Sequence, residues 1–425
     1  MRERFKPFAA RLTVIVIAGV ALRVLYLFVF ARDTQGYGDW HYFHLQGILI
    51  SQGHGFADPW AWLQGRQAPS ATHPPLYSLL IGAVSKLGVT SYIGHRVPGI
   101  FLGGATIALV GLLGRRVNGA AVGLLAAGLA AVYPTLIAAD GALLSETLYG
   151  PLIALSLIAG YRIYDRPGWL SAALAGAAVG LAALTRSEAI LLVPLMIVPV
   201  ALRASPDWRT RIVSILVGGV ACALVISPWV IRNVEVFGQP VLSTNEAAVI
   251  AGSNCQRAYH GNDIGSWVFG CIPPISSDNE AVQADIWRKQ GLGYVRDHFS
   301  ELPVVVIARL GRVWDLYQPR RMVLWAEGRQ VRFVQAGIAM WWLMLPLAGF
   351  GFVLLWRRKQ PIVILLSPWL TVAITAVLGY GAPRLRHSVE ISVVVLAALA
   401  LVELWTRWRA RTGPAAAPPV TAEET

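Results

Sequence analysis

The stretch RLTVIVIAGVALRVLYLFVFARDTQGYGDWHYFHLQG, residues 11–47, decides how this chain is read. Its first part, Leu12 to Phe30, is an apolar run broken by Arg23. A helix needs roughly 20 apolar residues to cross the hydrocarbon core of a bilayer, and this run is that long. A basic start, MRERFKPFAAR, precedes it. A cleaved secretory signal begins in the same way, but here no small-x-small site closes the run and ARDTQG follows. The expectation is an uncleaved first transmembrane helix. The second part is unusual for a chain leaving a membrane. It carries one carboxylate, Asp39, two titratable rings, His41 and His44, and a cluster of aromatics.

The remainder of the chain agrees with a membrane reading. Of 425 residues, 56% are apolar and only 14% charged, which excludes an ordinary soluble globule. The net charge of +13 comes without any nucleic-acid-binding motif, so nucleic acid is not an expected partner. Nine further apolar stretches lie near residues 97–113, 119–138, 143–161, 169–184, 189–203, 211–231, 332–356, 361–380 and 388–405. Several are rich in Gly and Ala, as in GAAVGLLAAGLAAV, which lets helix backbones approach closely in lipid. Short basic clusters, RERFKPFAAR, GRR, YRIYDR, LRASPDWRTR, WRRK and WTRWRAR, fall on one side of the resulting topology. Cytoplasmic loops are enriched in Lys and Arg, so both termini are expected inside.

The expected fold class is therefore an all-α polytopic membrane protein of the cytoplasmic (inner) membrane. It has about ten transmembrane helices, external juxtamembrane helices and a small external loop domain. The domains read as an N-terminal transmembrane module, 1–231, with an external loop at 31–96; an external segment, 232–331; C-terminal helices, 332–412; and a disordered Pro/Ala-rich tail, 413–425. Of three cysteines, Cys222 sits in an apolar stretch and reads as an inert core residue. Cys255 and Cys271 lie in the second external segment, where an oxidising compartment favours a disulfide. Their spacing does not match a zinc site.

Polar residues at the outer ends of the helices are the functional candidates. WHYFHLQGILISQ has apolar residues at helical spacing, and its aromatics suit a short helix on the outer leaflet surface. Asp39 then stands at the N-terminal end of that helix. A partly desolvated carboxylate with a raised pKa can act as a general base; the plainer alternative is an N-cap, and one residue can be both. His41 and His44 either orient a substrate or sit among headgroups. In ATHPPLYSLL, Pro74 and Pro75 fix an extended entry into a helix and hold His73 rigidly before it, either in a loop that re-enters the membrane surface or within reach of substrate or phosphate. Asp140 either caps a helix or binds substrate, and Glu146 stands one turn inside an apolar helix, facing a polar cavity. Many arginines are expected outside, against the usual bias, among them Arg186 in LTRSEA, Arg309, Arg312, and the pair Arg384 and Arg386. Each alone could contact headgroups or external carboxylates. Together they fit a lipid phosphate or pyrophosphate, because guanidinium forks bind phosphate bidentately. Arg23 receives no role beyond facing protein or reaching the interface.

An Asp just outside the first membrane helix, then Tyr42 and an interfacial helix, then HPPLY, resembles the GT-C glycosyltransferases. LSETLYGP, LTRSEAILLVP and a late Arg-x-Arg before the last helix fit the same group. The nearest likeness is to family-39-like enzymes: the aminoarabinose transferase of lipid A, protein O-mannosyltransferases and lipopolysaccharide-core transferases. The resemblance implies a polyprenyl-phosphate-linked sugar donor, an acceptor hydroxyl on a lipid, glycan or protein, and inversion at the anomeric carbon. Asp39 would be the base. Tyr42, His41, His73, Asp140, Glu146, Arg186, Arg384 and Arg386 would bind substrate, with the arginines on the leaving phosphate. Many relatives carry a second acid directly after the first, whereas Trp40 follows Asp39 here. No metal is therefore expected to be required, a divalent ion being the alternative. Two other classes are the alternatives: a flippase for lipid-linked sugars, which ten helices and intramembrane charge would also fit, and a non-catalytic envelope scaffold, which would leave Asp39 and the arginines without a joint purpose. A transporter usually shows repeated halves and polar residues at mid-membrane.

Overall fold

The computed structural model describes residues 2–36, 38–277, 279–323 and 326–412. The expected tail, 413–425, lies outside the described residues. Among the described residues there is no strand, only one isolated β-bridge between Ala57 and Pro69.

Each apolar stretch read from the sequence is helical. Among the described residues, six helices are long and apolar enough to cross a membrane: Pro7–Phe30, Tyr92–Val132, Ser187–Ala204, Trp208–Phe237, Val331–Arg357 and Pro383–Thr412. Tyr92–Val132 is two helices joined at a kink, where Asn118 and Gly119 leave helical geometry and Gly119 takes φ +85°. The two expected stretches, 97–113 and 119–138, are its two arms. The second arm stops at Val132 because Pro134 opens a new short helix, Pro134–Asp140. Glu146–Asp165 and the shorter apolar helices Trp169–Ala183 and Ile362–Leu378 complete the set. Ser187–Ala204 is irregular, passing from 3-10 to π to α geometry, because Pro194 and Pro199 each remove a helix donor. The helix begun at Trp208 runs on to Phe237, past the boundary expected at 231.

Small residues bring the helices together. A Cβ on Gly176 would lie 2.0 Å from the Gly218 carbonyl oxygen, so Trp169–Ala183 and Trp208–Phe237 meet backbone to backbone. One continuous apolar core joins the first helix, both arms of Tyr92–Val132, Glu146–Asp165 and the C-terminal helices.

The bundle has two chemically distinct poles. At one, Arg116 pairs with Asp165, and Arg358 and Arg407 both reach Glu403. This pole carries the basic clusters on which the expected orientation rests. At the other lie Glu146, Arg186 and Arg384, with both long connecting segments. The first segment holds helices Asp39–Ser51, Pro59–Leu63 and Pro75–Lys86; the second holds Asn245–Ser253, Gln256–Tyr259, Glu280–Asp297, Leu302–Val313 and Pro319–Met322. A disulfide joins Cys255 to Cys271 in the second segment.

The Asp39–Ser51 helix corrects one expectation. It does not lie on a leaflet surface with one face free. Trp40, Tyr42, Phe43, His44, Gln46 and Gly47 are buried. Trp40, Tyr42 and Phe43 form a core with Tyr77, Ile81 and Leu143. The aromatics surround this helix instead of forming a stripe, so it can only be stable between other elements.

Candidate active site

Gly38, with φ +61°, turns the chain into the Asp39–Ser51 helix, and no side chain caps that helix. Asp39 is its first residue. Its carboxylate turns away from its own helix towards two cations, so the N-cap alternative is not what this residue does. His73 Nε2 lies 3.3 Å from one oxygen, and Arg384 Nη2 donates to the other at 2.5 Å.

His73 is held on all sides. Pro74 is extended and Pro75 opens the Pro75–Lys86 helix, as the sequence requires. The imidazole packs against Tyr42, centroids 4.8 Å apart, and Phe43, 4.9 Å apart. The backbone before it is gripped from the second connecting segment. Glu280 accepts from the Ala71 amide at 2.7 Å and the Thr72 hydroxyl at 3.1 Å, while the Ser243 hydroxyl donates to the Thr72 carbonyl at 2.6 Å.

Arg384 is the hub. It lies on the 3-10 turn Pro383–Arg386 and reaches three carboxylates: Asp39, Glu146, and Glu327 at 2.7 Å. Glu146, first residue of its helix, also accepts from Arg186 Nη1 at 2.9 Å. Arg186 in turn holds Glu188 at 2.6 Å, and Arg329 stands 3.6 Å from Glu327. The network thus joins three arginines, 186, 329 and 384, to four carboxylates, 39, 146, 188 and 327. It opens outward on one side: Asp39 is 27% exposed and Glu327 31%, whereas Glu146 is 3% exposed. A small cavity behind it is lined by Thr135, Glu146, Arg329, Arg384 and His387.

The electrostatics correct a second expectation. Burial alone would raise the Asp39 carboxyl, but Arg384 and His73 outweigh it and hold the group well below the usual carboxylate range. Asp39 is thus a fully ionised, partnered carboxylate, not one with a raised pKa.

Other candidates lie elsewhere. His41 bonds the Tyr92 hydroxyl at 2.6 Å. His44 pairs with His95 at 3.0 Å, and burial, with His95 and His41 nearby, lowers it to about 4. Tyr42 directs its hydroxyl to Ser70 at 3.0 Å and offers the site only its ring. Asp140 is buried and accepts from Arg23 Nε at 2.6 Å. Arg23 also donates to the Gly19 and Ala131 carbonyls, so this pair staples the first helix to its neighbours. Arg386 is buried with Asp315 and Glu390, with its guanidinium 4.2 Å from the Trp341 ring centre. Three residues per turn aim Arg386 away from the side that Arg384 faces. Three site members were not singled out from the sequence: Glu188, Glu327 and Arg329. Glu188 sat in plain view in LTRSEA. Glu327 and Arg329 carried no local signal, being a short charged pair before an apolar helix.

This arrangement can be compared with known proteins. Residues 72–231 match the family described as dolichyl-phosphate-mannose-protein mannosyltransferase. The match takes in His73, Glu146 and Arg186. The apo oligosaccharyltransferase of Archaeoglobus fulgidus superposes over 95% of this chain with TM-score 0.59 at 16% identity. This is the fold of the GT-C glycosyltransferases. The GT-C likeness extends to the same oligosaccharyltransferase, AglB, in complex with an inhibitory peptide and a dolichol-phosphate: TM-score 0.57, 16% identity, 96% of this chain and 52% of that one. The chain spans about half the length of these oligosaccharyltransferases, 51% of the apo form. ArnT from Cupriavidus metallidurans, bound to undecaprenyl phosphate, aligns over 91% of this chain and 77% of its own with TM-score 0.42 and 17% identity. No curated protein matches the chain. The GT-C fold and the apolar helices make this a multi-pass, all-α membrane protein, and the resemblance drawn from HPPLY and its companions holds.

Proposed function

We propose that this protein is an inverting glycosyltransferase that moves a sugar from a polyprenyl-phosphate donor to an acceptor hydroxyl on the extracytoplasmic face. The observation that carries the reading is the meeting of Asp39 and Arg384. They lie 345 positions apart in the chain and touch at 2.5 Å, at the pole opposite the basic clusters. A base and a phosphate-binding cation are the two groups such a transfer needs side by side. Dolichol-phosphate in the AglB complex supports the donor class.

In this reading the acceptor oxygen attacks the anomeric carbon, and its proton passes to an Asp39 oxygen. The bond from that carbon to the donor phosphate oxygen breaks, and polyprenyl phosphate leaves with the bonding electrons. Arg384 and Arg186 stabilise the departing charge; losing one preorganised donor of this kind typically costs about 10²–10³ in turnover. Arg384 must turn from Asp39 to the phosphate as the donor binds, which frees the carboxylate to accept a proton. The lipid tail explains why the site lies at a pole of the bundle, since each buried CH₂ is worth about 0.8 kcal/mol. The second connecting segment, which grips the His73 backbone through Glu280, closes over the site and selects the acceptor. No step is routed through a metal. The three carboxylates converge on a guanidinium, and among the described residues no group of three or more ligating side chains is arranged to hold an ion.

The test is transfer from radiolabelled polyprenyl-phosphoryl sugars to lipid, glycan and peptide acceptors by protein in lipid nanodiscs. Asp39→Asn should abolish transfer and retain donor binding. Full activity in that variant removes Asp39 from the reaction. Movement of unchanged labelled lipid between leaflets would identify a flippase instead.

A further inference from the structure

The helix Leu302–Val313, LPVVVIARLGRV, is built inside out for a water-exposed segment. Its only charged residues, Arg309 and Arg312, are 2% and 0% exposed. Its outer face is aliphatic: Val304 is 60% and Ile307 70% exposed, with Phe299 just before the helix and Leu316 just after it also exposed. In water this distribution would be reversed.

The buried arginines explain how the helix is held. Arg309 donates to the Val377 carbonyl at 2.8 Å, the Ser253 carbonyl at 2.7 Å and the Asn254 side-chain oxygen at 2.9 Å. Val377 lies in the last turn of Ile362–Leu378, and Ser253 ends Asn245–Ser253. Helix C-termini carry unsatisfied carbonyls and the negative end of the dipole, so one guanidinium caps two helices at once. Arg312 donates to the Ile264 carbonyl at 2.6 Å and the Asn262 carbonyl at 2.7 Å. Gly381 lets the backbones close up, since a Cβ there would fall 2.1 Å from the Arg309 carbonyl oxygen. The helix is therefore bolted to the end of an apolar span.

That span is short. Ile362–Leu378 has 17 residues, about 25 Å of helix, against a hydrocarbon core of about 30 Å. Its last residue, Leu378, is 69% exposed. A span this short leaves about 5 Å of hydrocarbon to be filled by the protein packed on its ends.

We propose that Leu302–Val313 is a lipid-contacting helix, with Val304 and Ile307 set among the acyl chains of the leaflet on the Asp39 side. It extends the membrane-facing surface of Ile362–Leu378 and fills the thickness that span leaves. The outer face of the helix offers no charged or hydrogen-bonding side chain, whereas a protein partner would meet a polar rim. Continuity with a membrane span and the absence of polar groups from that face select lipid as the occupant. The inference is independent of the transfer reaction and sets part of the external segment 232–331 against lipid.

The experiment uses the full chain in nanodiscs of phosphatidylcholine and phosphatidylglycerol. Cys222, the buried free cysteine, is changed to alanine, and a nitroxide is placed at Ile307→Cys. Collisional accessibility to oxygen and to a water-soluble nickel chelate is compared with two references. Leu224→Cys, exposed on the Trp208–Phe237 span, reports lipid; Lys289→Cys, exposed on the Glu280–Asp297 helix, reports water. Ile307→Cys should match Leu224→Cys, with oxygen accessibility several-fold above that of the chelate. Chelate access equal to that at Lys289→Cys overturns the proposal. So does low access to both reagents, which would mean that a second copy or another protein covers the face. Val304→Cys, on the same face, repeats the measurement and must agree should Ile307→Cys fold poorly.

Discussion

Arg384 and Arg386 stand two residues apart on one 3-10 turn, and each is clamped by carboxylates. Their surroundings differ. Arg386 is 2% exposed, its partners Asp315 and Glu390 are 0% exposed, and Trp341 covers its guanidinium. Arg384 is 12% exposed, and two of its partners, Asp39 and Glu327, are open to the outside. A cation sealed among buried acids can hold only those acids. A cation whose acids lie at an opening can exchange them for an incoming anion. The same residue type in the same turn thus becomes a fastening in one case and a candidate phosphate contact in the other.

Four measurements test this contrast. The largest effect is expected at the open cluster: Arg384→Ala should lower transfer by about 10²–10³, with the thermal midpoint little changed. Were the midpoint to collapse while residual turnover per folded molecule stayed normal, Arg384 would be a fastening like its neighbour. The sealed cluster should respond in the opposite way. Arg386→Leu strands two buried carboxylates and should cost about 3–5 kcal/mol of stability. Replacing Arg386, Asp315 and Glu390 together with apolar residues of similar size should recover most of that loss, since a buried ion network is seldom better than good packing. A triple variant as unstable as the single one would show that the charges themselves are needed.

The third measurement concerns pH. Arg384 and His73 hold Asp39 low against the effect of burial, so the unliganded protein keeps Asp39 ionised throughout the mildly acidic range. The carboxyl pKa is depressed in the fold. Its contribution to stability is therefore complete above the unfolded value, about 3.9, and is lost only as pH falls below that. Removing the cation raises the carboxyl, so Arg384→Gln should move the acid limb of kcat/KM upward. In the wild type, a donor phosphate that engages Arg384 should place the acid limb of kcat above that of kcat/KM. Coincident limbs would mean that Arg384 never leaves Asp39. The smallest effect belongs to Glu327, the most exposed member. Glu327→Gln removes one competitor for Arg384, and partly exposed pairs are worth about 0.2–1 kcal/mol. The donor KM should fall by about two- to fivefold, and a rise would make Glu327 a donor contact instead.

Much of this was legible beforehand. The ten apolar stretches, the break between residues 113 and 119, and the proline-led entry to Pro75–Lys86 all rest on local composition. Asp39, His73, Glu146, Arg186 and Arg384 were singled out as polar residues at helix ends, and the fold gathers them. Tyr42 lends the site its ring alone, and His41 turns to Tyr92. Asp140 and Arg386 were drawn in by the same reasoning and belong elsewhere, because a charge at a helix end looks alike whether it faces a cleft or the core. Glu327 and Arg329 escaped notice because nothing near them in the chain marks a site.

The amino-acid sequence alone determined that the chain crosses a membrane many times as helices, and which ends of those helices are basic. The bilayer imposes its length and polarity on each segment separately, so a window of some twenty residues holds the answer. Which acid meets which arginine, that Asp39 is held ionised, and that Leu302–Val313 turns its aliphatic face outward are settled in the folded chain. Those outcomes depend on desolvation and on contacts between residues hundreds of positions apart, which no local pattern records.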